Sequence, residues 1–422
     1  MSADVIAHVE EALRQLLDPA TPAASKTQLE AQLAQFKDQV STCLPVLFQL
    51  LSASSNEYAL WFASTTLEEY VATRWRQFSA AQKQHVRQFV WEYVLARSAH
   101  ENGATTGSAT SPPQAAFVLR KLRKVVADIA RLEWTTTRSD AIWPEFLSQI
   151  ESLVMESATR VCGLELLRVV AEEFGREDAL ALASVKKHAK AQLTAQLPSL
   201  LALLTGVLQA SNHHVRNEND GLASHDRVAQ LALESLSQLI AWSPVAEAMN
   251  DSWIPLLFQW SENWQLVHRR GMPARLHLAG SCLVALQCLS DLMTKRFGPG
   301  RMDDIVAQCM MGLCPLLQRT VEDDIMGIVS EEYLDKLTEY VEAFLTQHLK
   351  RLEHPQYESV LPRFLELVMA LTQRQPHVNG FLNCMSVWEV FVGYIEEAEQ
   401  NDAASNDRIR QLLSAYENGL VG

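Results

Sequence analysis

SPPQAAFVLRKLRKVVADIARLEWTTTRSDAIWPEFLSQIESLV, residues 111–154, decides how the rest of the chain is read. Ser111 is placed to cap a helix, and Pro112 stands at its first position, where the missing N–H removes no helical bond. Val118, Leu122, Val125, Ile129 and Leu132 then recur at spacings of three and four, a single apolar stripe. Trp134 and three β-branched threonines close that helix. A second stripe starts at Ile142 and Trp143 and runs through Phe146, Ile150 and Leu153. One striped helix cannot bury its apolar side alone; a hairpin of two buries more, and stacked hairpins cover both flanks. The spacing therefore predicts the unit of an α-solenoid.

Working outward, the same period predicts helices over Val5–Leu17, Ser25–Gln39, Ser41–Leu51, Asn56–Trp75 and Ser79–Arg97 before the stretch. After it, helices are expected over Ala158–Phe174, Ala179–Ala195, Leu197–Ala210, Arg227–Ala241, Ser252–Trp264 and Ala274–Arg296. The series continues over Met302–Leu317, Ser330–Lys350, Glu358–Thr372 and Val378–Glu397. No alternating strand pair with an Asn-Gly or Asp-Gly turn interrupts it. Hairpins of roughly 40–47 residues give about nine repeats, the HEAT period, so the expected fold is an all-α, right-handed HEAT-repeat superhelix. Two polar stretches read as connections: a small-residue loop at 98–111 and a linker at 211–226. They suggest three parts, 1–111, 112–260 and 261–422, the last ending without the polar cap that a solenoid needs.

Composition excludes several function classes. The 422 residues carry 36 Lys+Arg against 50 Asp+Glu, a net charge of −14, the wrong field for nucleic acid or an anionic membrane. The N-terminus has no basic start followed by a long apolar run, and the longest apolar stretch, near Leu197–Leu208, is too short to cross a bilayer. The 7 cysteines lie inside apolar runs, the pattern of buried thiols in a reducing compartment. P-loop, nucleophile-elbow, zinc-protease and dinucleotide-binding motifs are all missing, so no enzyme, cofactor or catalytic residue is expected.

Four stretches resemble a known family. FVLRKLRKVVADIARLEW (Phe117–Trp134) is similar to the lysine-leucine helix of the importin-β superfamily of nuclear transport receptors, and SWIPL (Ser252–Leu256) to an exportin element. LSDLMTKRFGPGRMDDIVAQCMMGLCPLLQ (Leu289–Gln318) resembles the repeat that follows it. EEYLDKLTEYVEAFLTQHLKRLE (Glu331–Glu353) and FLNCMSVWEVFVGYI (Phe381–Ile395) most resemble receptors of the exportin-6 type. The resemblance runs in order from Leu13 to Glu397, with Thr135 where the family usually has Pro, and family members are much longer. It implies a receptor whose first repeats bind Ran-GTP and which carries protein cargo, here actin–profilin, past nuclear pore proteins while shuttling between nucleus and cytoplasm. A Ran-independent scaffold and an import receptor of the same superfamily are the alternatives.

By the same resemblance the Ran-GTP wall is the second helix of each of the first three hairpins, Ser25–Gln39, Asn56–Trp75 and Gln114–Glu133. Glu68, Glu69, Lys121, Lys124 and Asp128 are the polar positions expected to be left free for the partner. The basic set Arg120, Lys121, Arg123, Lys124 and Arg131 has a plainer reading as a solvated face. Charge is uneven: residues 71–140 hold 11 Lys+Arg against 5 Asp+Glu, and residues 321–400 hold 5 against 15. Glu322, Asp323, Asp324, Glu331 and Glu332 form the densest acidic patch, a candidate for a basic partner. Cys282, Cys288, Cys309 and Cys314 read as core thiols rather than zinc ligands, and His213, His214 and His225 as linker residues. Trp253, Trp260 and Trp264 share one face, with Trp242 nearby, and read as core.

Overall fold

A computed structural model describes residues 3–103, 115–134, 143–176, 183–217, 221–264, 278–298, 300–322, 325–327 and 329–400. Among these residues there are helices and turns and no strand. The chain divides into two compact units, Met1–Ala195 and Gln196–Gly422.

In the first unit the helices are α1 (Ala3–Leu17), α2 (Ala23–Asp38), α3 (Val40–Ala53), α4 (Glu57–Glu69) and α5 (Ala80–Gly103). They continue as α6 (Ala115–Glu133), α7 (Phe146–Met155), α8 (Arg160–Gly175) and α9 (Ala183–Ala195). α3 packs on α4, α5 on α6 and α7 on α8, and α4, α6 and α8 also pack side by side. Second helices therefore line up as one layer. The reason is visible in α6, where Val118, Leu119, Leu122, Val125, Val126, Ile129 and Ala130 are all buried, a stripe wide enough to meet neighbours on both flanks. At the α7–α8 crossing, Gly163 lets the backbones approach closely; a Cβ there would lie 2.7 Å from the Val154 nitrogen.

The second unit repeats the plan with α10 (Leu197–Asn217), α11 (Leu222–Trp242), the single turn α12 (Val245–Ala248), α13 (Trp253–Ser261) and α14 (Leu278–Met293). It ends with α15 (Arg301–Glu322), α16 (Glu331–Leu352), α17 (Leu361–Gln373) and α18 (Val378–Gln400). α11, α14, α16 and α18 pack in succession as one layer, with α13, α15 and α17 in the other. This is the α-solenoid arrangement. Trp253, Trp260 and Trp264 are core, as are Cys282, Cys288 and Cys309, whose thiols burial pushes up, Cys282 and Cys309 to about 12. Among the described residues no single helix is long and apolar enough to cross a membrane.

Both expected connections are largely helical where the structure describes them. Residues 98–103 are the last turn and a half of α5, and Ser98 is buried, accepting a bond from the Arg123 guanidinium at 3.1 Å; residues 104–114 lie outside the described set. Residues 211–217 belong to α10 and 222–226 to α11; Ser211, Asn212 and Asp226 are buried, and residues 218–220 are outside the described set. Polar residues there serve the interior. Asn212 bonds Gln259 at 2.9 Å and accepts from Asn263 at 3.0 Å, and the rings of His214 and His225 stack at 4.4 Å.

Candidate functional site

α4 is the hinge of the first unit's charged surface. Asn56 starts it by accepting from the Tyr58 and Ala59 amides at 2.9 and 3.4 Å, an N-cap in the first turn. The helix then widens into a π turn at Tyr70–Arg74 and tightens into a 3-10 turn at Trp75–Gln77. That irregular end is pinned from both sides. The Tyr70 hydroxyl donates to the Lys37 carbonyl at 2.6 Å, and Arg74 pairs with Asp38 at 2.6 Å. On the other side, the Trp75 indole N–H and Lys83 both reach Glu133, at 2.6 and 3.0 Å.

Two adjacent carboxylates of α4 point to different neighbours. Glu69 takes Lys37 of α2 at 3.1 Å, while Glu68 takes both Lys121 and Lys124 of α6, at 3.1 and 2.5 Å. Burial of Glu68 favours its neutral form, but the two ammonium groups outweigh it and hold its pKa below the usual carboxylate value. Lys124 also faces Asp128 at 3.6 Å, and Asp128 holds Arg131 at 2.9 Å. Arg131 in turn donates to the Glu173 carbonyl of α8 at 3.2 Å, and Arg123 pairs with Glu165 of the same helix. Charges thus alternate across α2, α4, α6 and α8.

This arrangement corrects the expectation that Glu68, Glu69, Lys121, Lys124 and Asp128 stand free. Four of the five come together in one cluster and Glu69 joins a second, and each makes an ion pair with a residue of this chain. Nor is the basic set a solvated face: Arg123 and Arg131 are buried, Lys121 and Lys124 half-buried, and only Arg120 is exposed. Helix-to-helix pairing of residues 32 to 56 positions apart, from Lys37 with Glu69 to Lys124 with Glu68, leaves no local mark in a sequence.

The acidic patch divides. Glu331 and Glu332 are exposed in the first turn of α16, where they complement the positive end of the helix dipole, and Ser330 caps that turn. Asp323 and Asp324 lie outside the described residues, as does the side chain of Glu322. Among the described residues no group of three or more His, Cys, Asp or Glu is placed to hold a metal ion.

The pattern also concealed an exposed aromatic pair. The buried residues of α4 are Ala59, Leu60, Phe62, Ala63, Ser64, Thr66 and Leu67. Trp61 falls outside that arc and is 53% exposed, with Tyr58 one turn before it at 50%. The available signal is the line 58, 61, 65 and 68, which mixes aromatic, hydroxyl and acidic residues as a surface does.

Comparison with known proteins bears on which face matters. The importin-beta N-terminal domain family matches residues 29–96, which run from within α2 into α5. The family described as exportin 1-like protein matches residues 115–270, from α6 past α13. Exportin-6-A of Xenopus laevis is 25% identical over 98% of this chain and 40% of its own length. Exportin-6 of Homo sapiens is 24% identical over 98% of the chain and 39% of its length. Exportin-6 of Dictyostelium discoideum is 22% identical over 94% and 38%. The chain is homologous to these proteins and spans about two fifths of their length, in their N-terminal portion.

Proposed function

We propose, from the premise of homology to exportin-6, that this chain is the Ran-GTP-binding, N-terminal part of a nuclear export receptor, and that α2, α4 and α6 form its GTPase face. The observation that carries this reading is the order of the two family matches along the chain: an importin-β N-terminal domain, then an exportin 1-like region. Those matches cover α4 and α6, whose packing and ion pairs make one continuous wall of second helices. A pre-paired wall suits a protein partner, because its charges are already neutralised and need not be desolvated unpaired. The cargo under this reading is actin–profilin, carried from nucleus to cytoplasm past nuclear pore proteins, with the receptor shuttling between the compartments. Transport of this kind needs binding and no chemistry.

Calorimetric titration of the chain with Ran loaded with a non-hydrolysable GTP analogue, and separately with GDP, tests the reading. Binding at least about a hundredfold tighter for the GTP form is expected, a coupling of about 3 kcal/mol. Equal affinity for both forms, or none for either, would remove Ran from the account and leave a protein-bridging scaffold.

A further inference from the structure

We propose that Tyr58 and Trp61 are the apolar anchor of the docking face on α4, and that the partner seated on them is Ran in its GTP form. The partner's identity rests on the reading given above; the anchor rests on the side chains themselves.

Tyr58 and Trp61 are the only tyrosine and tryptophan among the described residues that are exposed large hydrophobics, at 50% and 53%. The core has no need of them. Leu60, Phe62, Ala63 and Leu67 already fill the buried side of α4, and Leu67 and Ala63 are fully covered. The two rings lie one turn apart, and the steps 58, 61, 65, 68 keep them on one line of the helix with Thr65 and Glu68. Neither the Tyr58 hydroxyl nor the Trp61 indole N–H has a hydrogen-bond partner among the described residues. Each ring therefore offers a wide apolar body and a spare donor at its edge, the combination that dominates the centres of protein interfaces.

The surroundings complete the arrangement. Down the same line, Glu68 is already held by Lys121 and Lys124 of the neighbouring helix, so that carboxylate is neutralised within the chain. An exposed aromatic centre with a polar border is the arrangement that a folded partner covers at an interface. The whole line falls within residues 29–96, the segment matched by the importin-beta N-terminal domain.

The test uses the full chain and calorimetric titration with Ran bound to a non-hydrolysable GTP analogue, comparing unaltered protein with Trp61→Ala, Tyr58→Ala and Trp61→Phe. Trp61→Ala is expected to weaken binding by about tenfold or more and Tyr58→Ala by several-fold, with Trp61→Phe between Trp61→Ala and the unaltered chain. Thermal melts of all three should match the unaltered chain, because the rings lie outside the core. If the unaltered chain binds and both alanine variants bind equally well, the anchor is wrong while the Ran reading stands. If the unaltered chain does not bind Ran-GTP, that reading falls and takes this partner with it. A lowered melt in either alanine variant would show the rings to be packing residues and overturn their assignment as an anchor.

Discussion

The Lys124 ammonium lies 2.5 Å from the Glu68 carboxylate, tying α6 to α4 across 56 positions of sequence. Lys121 grips the same carboxylate at 3.1 Å, so one acidic residue organises two basic ones. The three side chains are each less than a third exposed, too covered for solvent to screen the contact fully.

Reversing both lysines, Lys121→Glu with Lys124→Glu, sets three carboxylates together beside Asp128. Destabilisation of about 1–3 kcal/mol is expected, read as a lower urea midpoint with an unchanged slope. Glu68→Gln should cost less, because it leaves lysines that can turn towards water. A double reversal as stable as the unaltered chain would mean that this cluster does not hold α4 to α6.

Gly163→Ala and Gly312→Ala test how closely neighbouring helices pack. At Gly312 a Cβ would lie 2.3 Å from the Phe258 ring, and at Gly163 it would lie 2.7 Å from the Val154 backbone nitrogen. Overpacking of this kind costs about 1–3 kcal/mol. The two sites should differ in rescue: Phe258→Leu ought to recover part of the Gly312→Ala loss, whereas backbone at Gly163 cannot be trimmed. Thermal melts of the single and double variants decide it, and an absence of coupling between positions 258 and 312 would contradict the geometry.

Which parts of this were legible depends on whether the residues facing the interior were apolar. The stripe of α6 gave an expected helix over Gln114–Glu133 against an observed Ala115–Glu133. Where the interior takes polar residues the period disappears: Asn212 and Asp226 are buried, and their region reads as a linker in sequence although it is helical. Ser98 was lost in the same way. Trp61 failed in the other direction, an apolar residue one step off the buried arc. The pairing of Glu68 with Lys121 and Lys124 needed the stacking of repeats, which no local spacing encodes.

His348 gives the second unit an acid sensitivity. It is buried on α16 with neither ring nitrogen hydrogen-bonded among the described residues, and burial, aided by Arg351, pushes its pKa down to about 4. Between pH 6.5 and about 4 the unfolded chain binds a proton that the folded chain refuses, so this residue's contribution is lost as pH falls through that window, on the order of 3 kcal/mol. His348→Leu should flatten that part of a stability-against-pH curve measured by urea titration. An identical slope in the variant would show that the ring is not held neutral.

Asp226 acts with the opposite sign. Burial pushes its carboxyl up to about 7, opposed by the Ser281 hydroxyl, which donates to it, and by Arg227. Between pH 3.8 and about 7 the folded chain keeps a proton that the unfolded chain has lost, so stability declines as pH rises across that window, on the order of 4 kcal/mol. Asp226→Asn keeps the shape and removes the titration; it should be more stable than the unaltered chain at pH 8 and similar to it at pH 4. Lower stability at pH 8 would mean that the charged carboxylate is well accommodated.

The proposed function makes α2, α4 and α6 the face that meets a GTPase. Hydrogen–deuterium exchange of the full chain, with and without saturating Ran bound to a non-hydrolysable GTP analogue, reads that face directly. Slowed exchange is expected along Ala23–Asp38, Glu57–Glu69 and Ala115–Glu133, with the second unit's α16 and α18 unchanged. Protection confined to the second unit, with these three helices exchanging as in the free chain, would contradict it.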